Sequence, residues 1–301
     1  MHSENLRHGA LIYEGDDQYV ARSLGFLKEG LEAGEGCIVA HTRDGIAMMR
    51  EALGGDADRV SFVDVGSVYT RPARALAAYC GTLVRGLHEA PSVRAVADVQ
   101  IGPLRDELDE WVGYEALTNL SYSHLPAWVV CTYDANGIPD AVLDQVWRTH
   151  PEVLGDGWCA SDHYEDPREL LRGLTAEPEP LPQLRSLSPG DDLEGFRERL
   201  ARELMAAKVP AATALDMLVA GTEVAANAVR HGGGIEEVRV GTAAGRFVCE
   251  VIDRGAGFDD PAAGYLVPRA GTGSGLWVAR QLAWSLESFH SPRGFTVRLW
   301  V

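Results

Sequence analysis

Through the first 150 residues, short apolar runs alternate with longer amphipathic stretches, and this alternation restricts the fold more than any other feature. Runs at 9–13, 36–40, 59–63, 93–99 and 127–132 read as strands, and stretches at 16–32, 44–53, 72–87, 107–120 and 140–147 read as helices. Strands without a polar side are covered on both faces, and strand–helix–strand order makes them parallel. The expectation is an α/β domain with a mainly parallel sheet.

Sheets of this kind bind ligands at the carboxyl ends of their strands. Here the first strand runs into Glu14-Gly15-Asp16-Asp17-Gln18, and the chain has no Gly-rich loop ending in Gly-Lys-Ser/Thr. It therefore lacks both that phosphate cradle and its lysine. Several short stretches resemble the MEDS sensory domain of bacterial and archaeal regulators. They are Leu11-Ile12-Tyr13, the run from Phe26 to Glu35, Asp58-Arg59-Val60, Phe62-Val63-Asp64, Glu115-Ala116-Leu117-Thr118-Asn119, Cys131-Thr132-Tyr133-Asp134 and His150-Pro151. The resemblance covers roughly residues 7 to 155. It implies a RecA-like parallel sheet without a P-loop, serving as an input domain for an unknown signal ligand. It carries over no binding residues.

Other residues of this half invite sharper readings. His88-Glu89-Ala90-Pro91 resembles a phosphoacceptor box, but His88 ends a helix that leads into a strand rather than lying in a two-helix hairpin. His41, His124 and His150 with Cys37 and Cys131 are chemically able to form a metal or redox sensor, yet their spacings match no ligand pattern. Ordinary core and loop positions account for them. Trp111, Tyr114, Tyr122 and Trp128 read as core.

Three prolines fall between Thr175 and Pro182, a stiff and extended stretch that reads as a linker. It divides the chain into a domain at 1–174, a linker at 175–182 and a second domain at 183–301. Charge divides at the same place. There are 14 Lys and Arg against 30 Asp and Glu through residue 182, and 13 against 14 thereafter. An acidic front half repels nucleic acid and anionic membrane, so no direct nucleic-acid or membrane partner is expected. The five scattered cysteines form no CxxC pair, and neither a signal peptide nor a membrane span is seen. The expectation is a cytoplasmic protein with reduced thiols.

In the rear half, Asp191-Asp192 start a helix to about Ala207, and Pro210 opens another. That second helix has an apolar stripe at Leu215, Leu218, Val219, Ala226 and Val229, and is stopped by His231-Gly232-Gly233-Gly234. Glu223 and Asn227 stand four apart on one of its faces. Strands at 238–241 and 246–252 form a hairpin and run into Asp253-Arg254-Gly255-Ala256-Gly257. After a short lid comes Gly271-Thr272-Gly273-Ser274-Gly275, then a helix over 276–283 and a last strand over 294–301. Glycines admit an anion to backbone N–H groups, and a following helix start adds free donors. Asp253 can accept from an amine, Asn227 offers oxygen to Mg²⁺, and Glu223 is a general-base candidate.

The order Glu-x-x-x-Asn, Asp-x-Gly-x-Gly, Gly-x-Gly-x-Gly-Leu resembles the GHKL family of histidine kinases, gyrase and MutL, over about residues 183 to 301. The resemblance implies an α/β sandwich with a Bergerat-type ATP site. The compact form is most similar to anti-sigma-factor serine kinases, through Asn227-Ala-Val-Arg-His-Gly232 and Gly273-Ser-Gly-Leu-Trp-Val-Ala-Arg-Gln-Leu282. Carried over, Glu223 is the base, Asn227 the Mg²⁺ ligand, and Asp253 the adenine acceptor beside Gly255 and Gly257. Gly271, Gly273 and Gly275 hold phosphates. Arg230 touches phosphate, and Thr296 supports Asp253 through water. Two departures bear on the rate. A serine stands between Gly273 and Gly275, and the lid at 258–270 has Arg269 as its one basic residue. The implied function is a homodimeric anti-sigma factor that uses ATP and Mg²⁺ to phosphorylate an anti-sigma antagonist and otherwise holds a sigma factor. The alternatives are a non-catalytic, nucleotide-gated binding module and a histidine kinase-like protein.

Overall fold

Parallel strands need long crossovers, and in the front of the chain helices supply them. The computed structural model describes residues 5–68, 72–99, 108–155, 157–174, 178–189, 192–268 and 273–301. The chain divides into two compact units, Met1–Leu174 and Thr175–Val301.

The front unit runs β1 (Arg7–Tyr13), α1 (Asp16–Glu32), β2 (Gly36–His41), α2 (Arg43–Leu53), a 3₁₀ turn (Gly54–Arg59), β3 (Val60–Asp64) and α3 (Val65–Val68). It continues with α4 (Pro72–Leu87), β4 (Val93–Asp98), α5 (Leu108–Ser121), β5 (Ala127–Asp134) and α6 (Asp140–Thr149). A short hairpin, β6 (Glu152–Leu154) and β7 (Trp158–Ala160), precedes α7 (Pro167–Leu174). Among the described residues the sheet has the order β3-β2-β4-β5-β1-β6-β7. Every pairing is parallel except β6 with β7. The mixed α/β class with a parallel-rich sheet is as expected. The sequence reading did not foresee the edge hairpin or α7.

Leu11, Val39, Val96 and Val130 of the sheet pack with Phe26, Leu27 and Leu31 of α1 and Met49 and Leu53 of α2. Trp111, Tyr114 and Tyr122 are buried. Trp128 lies edge-on to Phe26 with the Arg7 guanidinium 3.5 Å from its ring centre, so its surroundings are packing.

The rear unit runs β8 (Arg185–Leu187), α8 (Leu193–Ala206), α9 (Ala211–Arg230), β9 (Ile235–Ala243), β10 (Arg246–Asp253), α10 (Gly275–Leu282), β11 (Ser285–Ser291) and β12 (Gly294–Trp300). The sheet order is β11-β12-β10-β9-β8, all antiparallel. Asp192 caps α8 by accepting from the Gly195 N–H at 2.8 Å. Phe196, Leu200 and Leu204 of α8 and Met217, Ala220, Val224, Ala225 and Ala228 of α9 cover Val238, Val240, Cys249, Val251, Val297 and Leu299.

Beyond Met217, the buried stripe of α9 is thus made of small residues. Leu215, Val219 and Val229, expected on the apolar stripe, are 62%, 38% and 55% exposed. Close approach explains the exchange, because a Cβ on Gly221 would stand 3.0 Å from Leu200 Cδ2. Larger side chains on that face would hold the helices apart.

Alternation along β10 and β12 sends Glu250, Ile252, Thr296 and Arg298 to the opposite face. There Glu250 accepts from Arg298 Nε at 2.8 Å and from Arg239 Nη1 at 2.9 Å. Arg239 also donates to the carbonyls of Leu181 and Leu184. Leu181 packs with Leu184, Ala243, Val248 and Trp300. The end of the proline-rich stretch is therefore fastened to this sheet.

Candidate nucleotide site

On α9, burial of Val224, Ala225 and Ala228 turns Glu223 and Asn227 toward the start of α10, and both are half-buried. The fit there is close. A Cβ on Gly275 would lie 2.6 Å from Glu223 Oε2 and 3.3 Å from Asn227 Nδ2, so glycine at this position lets the helix start sit against the pair. Ser274 precedes α10 and makes no side-chain capping bond. The first N–H groups of α10, which have no intrahelical acceptor, are therefore not capped by the Ser274 side chain.

Helix α9 ends at His231, where the N–H groups of His231 and Gly232 bond back to Asn227 and Ala228. Gly232 then passes against Asp253, whose carboxyl group would collide with any Cβ at 232. Asp253 closes β10 at an irregularity in the β9 pairing. It is 9% exposed, and its Oδ1 accepts from the Gly255 N–H at 2.8 Å. Burial pushes its pKa up, opposed by that hydrogen bond and by His290. Gly257 has φ +67°, and a Cβ there would strike the Phe295 ring.

The rim is described through residue 268. Ala262 is buried, and Arg280 of α10 donates from Nε to the Ala263 carbonyl at 2.8 Å and from Nη1 to Leu286 at 3.0 Å. The guanidinium lies 3.9 Å from the centre of the Tyr265 ring. Desolvation lowers the pKa of this buried group.

Glu223, Asn227 and Gly275 meet at one end of the site. Asp253 and Gly255 meet at the other, beside Gly257 and Phe295. Gly273 is exposed just before α10. Arg230 is exposed one turn beyond Asn227. Gly271 and Arg269 lie outside the described residues. Thr296 departs from expectation. It lies on the sheet face away from the helices, with Glu250 and Arg298, and its hydroxyl donates to Ser291 Oγ at 3.2 Å. Phe295 takes the helix-facing position, paired with Asp253 in the β10–β12 register. Strand alternation therefore rules out a link from the Thr296 hydroxyl to the Asp253 carboxylate. Gly232, Arg280 and Phe295 were missed; a glycine after a helix and a lone arginine within one are too common to signal a site.

The sensor candidates of the front unit separate. His41 faces Asp98 at 3.4 Å, Cys37 contacts the Leu27 carbonyl, and His124 is exposed. Cys131 and His150 come together, with His8 and Glu115. An apolar cavity of about 40 Å³ also reaches Cys131, lined among others by Ile38, Leu83, Tyr114 and Val129. No helix among the described residues is long and apolar enough to cross a membrane.

Residues 7–151 match the model of the methanogen/methylotroph, DcmR sensory domain, MEDS. Residues 188–301 match that of the histidine kinase-like ATPase domain. No curated protein is similar enough to the chain to count as a match. The second match assigns ATP binding to the rear unit, and the two together make a signalling protein with an ATPase- or kinase-like domain. The chain joins an N-terminal MEDS sensory domain to a C-terminal histidine kinase-like ATPase domain.

Proposed function

We propose that this chain is a cytoplasmic anti-sigma factor and an ATP-dependent serine/threonine kinase, acting on an anti-sigma antagonist and governed by a signal received in its front unit. The observation that carries the reading is Glu223 held beside Asn227 against the start of α10. A carboxylate placed there serves as a base for a protein hydroxyl. A module that only grips a partner has no need of it.

Each residue has a part consistent with its chemistry. Asp253 presents a buried acceptor to an amino group such as that of adenine. Burial raises its pKa from the usual carboxylate value, against the Gly255 hydrogen bond and His290, so its acceptor form is favoured as pH rises. Gly273, Gly275 and the free N–H groups of α10 suit phosphate oxygens. Asn227 supplies a neutral oxygen of the kind Mg²⁺ takes, with Glu223 one turn away. ATP supplies the phosphoryl group, and Mg²⁺ offsets its charge. Glu223 would take the proton of the attacking hydroxyl, and Arg230, exposed one turn beyond Asn227, would meet phosphate from the solvent side. The sigma factor, the antagonist and a homodimer through the rear unit complete the proposal. His88 is exposed between α4 and β4, a place unlike the helical hairpin that a phosphoacceptor histidine requires.

The test is phosphate transfer from labelled ATP to candidate antagonists by wild type, Glu223→Gln and Asp253→Ala. Label on serine or threonine of a partner, lowered about 10²–10⁴-fold in Glu223→Gln with ATP still bound, is the expected result. ATP binding without transfer in wild type moves the reading to a nucleotide-gated module. Acid-labile label on His88 replaces it with a histidine kinase.

A further inference from the structure

Four residues far apart in sequence close on one point beneath the front sheet. His8 comes from β1, Cys131 from β5, Glu115 from α5, and His150 from the end of α6. All are buried, and one ligand atom from each lies within 4.8 Å of the others. His8 Nε2 is 3.4 Å from Cys131 Sγ and 3.5 Å from Glu115 Oε2. Glu115 Oε2 is 3.6 Å from Cys131 Sγ and 3.6 Å from His150 Nε2.

The outer hydrogen bonds fix which ring nitrogens face inward. Asn119 Nδ2 donates to the carbonyls of Glu115 and Thr149, so its Oδ1 is the atom that meets His8 Nδ1 at 3.1 Å. An amide oxygen only accepts, which puts the His8 proton on Nδ1 and a lone pair on Nε2. His150 Nδ1 donates to the Val146 carbonyl at 3.0 Å, leaving a lone pair on its Nε2 as well. Two imidazole lone pairs, a carboxylate oxygen and a sulfur thus converge, and Tyr133 donates to the other carboxylate oxygen at 3.1 Å. The centre is rich in acceptors, as a cation site is, and the Cys131 thiol proton, directed at Glu115 Oε2, is the one a cation displaces.

We propose that His8, Glu115, Cys131 and His150 bind a zinc ion in the front unit. Zinc bonds of about 2.0–2.1 Å to nitrogen, 2.0–2.2 Å to oxygen and 2.3 Å to sulfur, at tetrahedral angles, separate the ligand atoms by about 3.3–3.6 Å. Four of the six separations, 3.4–3.6 Å, meet that range, and the other two lie within 4.8 Å, so a bound ion would draw His150 inward. Imidazole and thiolate exclude Mg²⁺ and Ca²⁺, which prefer oxygen. Binding releases the Cys131 proton and any proton on Glu115 to solvent. A dication with one thiolate and one carboxylate then has no net charge, which suits a site closed to water. Asn119, Val146 and Tyr133 hold the ligands from outside in the manner of metal-site partners. All four positions are filled by protein, so the site is structural or sensory rather than hydrolytic.

The test uses the full chain without nucleotide. Protein from zinc-supplemented cells should contain about one zinc per chain. Unfolding and refolding with Co²⁺ under reducing conditions should give the near-ultraviolet band of a cobalt–thiolate bond. Cys131→Ser should abolish that band, and Cys159→Ser, at an exposed thiol, should leave it unchanged. Because a ligand variant can fail to refold, wild type is also melted after chelation and after zinc loading, with a higher Tm expected when loaded. Zinc far below one per chain together with no cobalt–thiolate band overturns the proposal, as does a band that survives Cys131→Ser.

Discussion

The polar groups of the two units are held in opposite ways. Beneath the front sheet, Glu115 is ringed by Tyr133, Cys131 and two histidines, all buried. In the rear unit, Glu223 and Asn227 are half-buried, and α10 begins beside them without a side-chain cap. A closed set of partners serves a permanent occupant or the fold itself, since each group left alone in the interior costs free energy. An open set leaves its donors and acceptors to a ligand that comes and goes. Mutation should therefore be felt as stability in the closed set and as binding in the open one.

The largest expected effect breaks the closed side. Glu115→Ala removes the acceptor of the Tyr133 hydroxyl and leaves a cavity, and should cost about 2–5 kcal/mol in denaturant unfolding of the front unit. Next, on the open side, Asp253→Ala should weaken ATP binding by roughly 10–100-fold in titration calorimetry. Its unfolding free energy should stay within about 0.5–1 kcal/mol of wild type. A large loss of stability there would erase the contrast. Tyr133→Phe then sharpens it by deleting one hydroxyl of the closed set, at about 1–3 kcal/mol.

The smallest effect is in pH. Asp253 has a folded pKa raised by burial, so ordinary unfolded chains lose its proton first as pH rises. Its contribution to stability is therefore greatest at low pH and falls as pH climbs through the window between the two values. Nucleotide affinity runs the other way and weakens by about tenfold per unit once pH drops below the raised value. Binding isotherms from pH 8 downward check this, and a flat profile in Asp253→Asn is the control.

Most of this contrast was legible in the sequence for the rear unit and hidden for the front. Glu223 and Asn227 are one helical turn apart, and Asp253, Gly255 and Gly257 are neighbours, so local spacing places them on common faces. His8, Glu115, Cys131 and His150 have no spacing to read. Only the parallel pairing that sets β1 beside β5 brings the first and third together. The apolar runs of the front sheet were plain because both faces are covered. Strand β11 was not foreseen, since Ser285-Leu-Glu-Ser-Phe-His-Ser291 lies at a sheet edge and is largely polar. The exposed Leu215 and Val219 show a further limit. Periodicity marks an apolar face, but the size of side chain that a neighbouring helix tolerates decides which face is buried.

Arg280 has a mechanical consequence. Its guanidinium ties the Ala263 carbonyl and the Tyr265 ring to the body of α10. The same helix begins at Gly275 against Glu223 and Asn227. Floor and rim thus share one rivet, so the start of α10 and the Ala263–Tyr265 turn are fastened to the same helix.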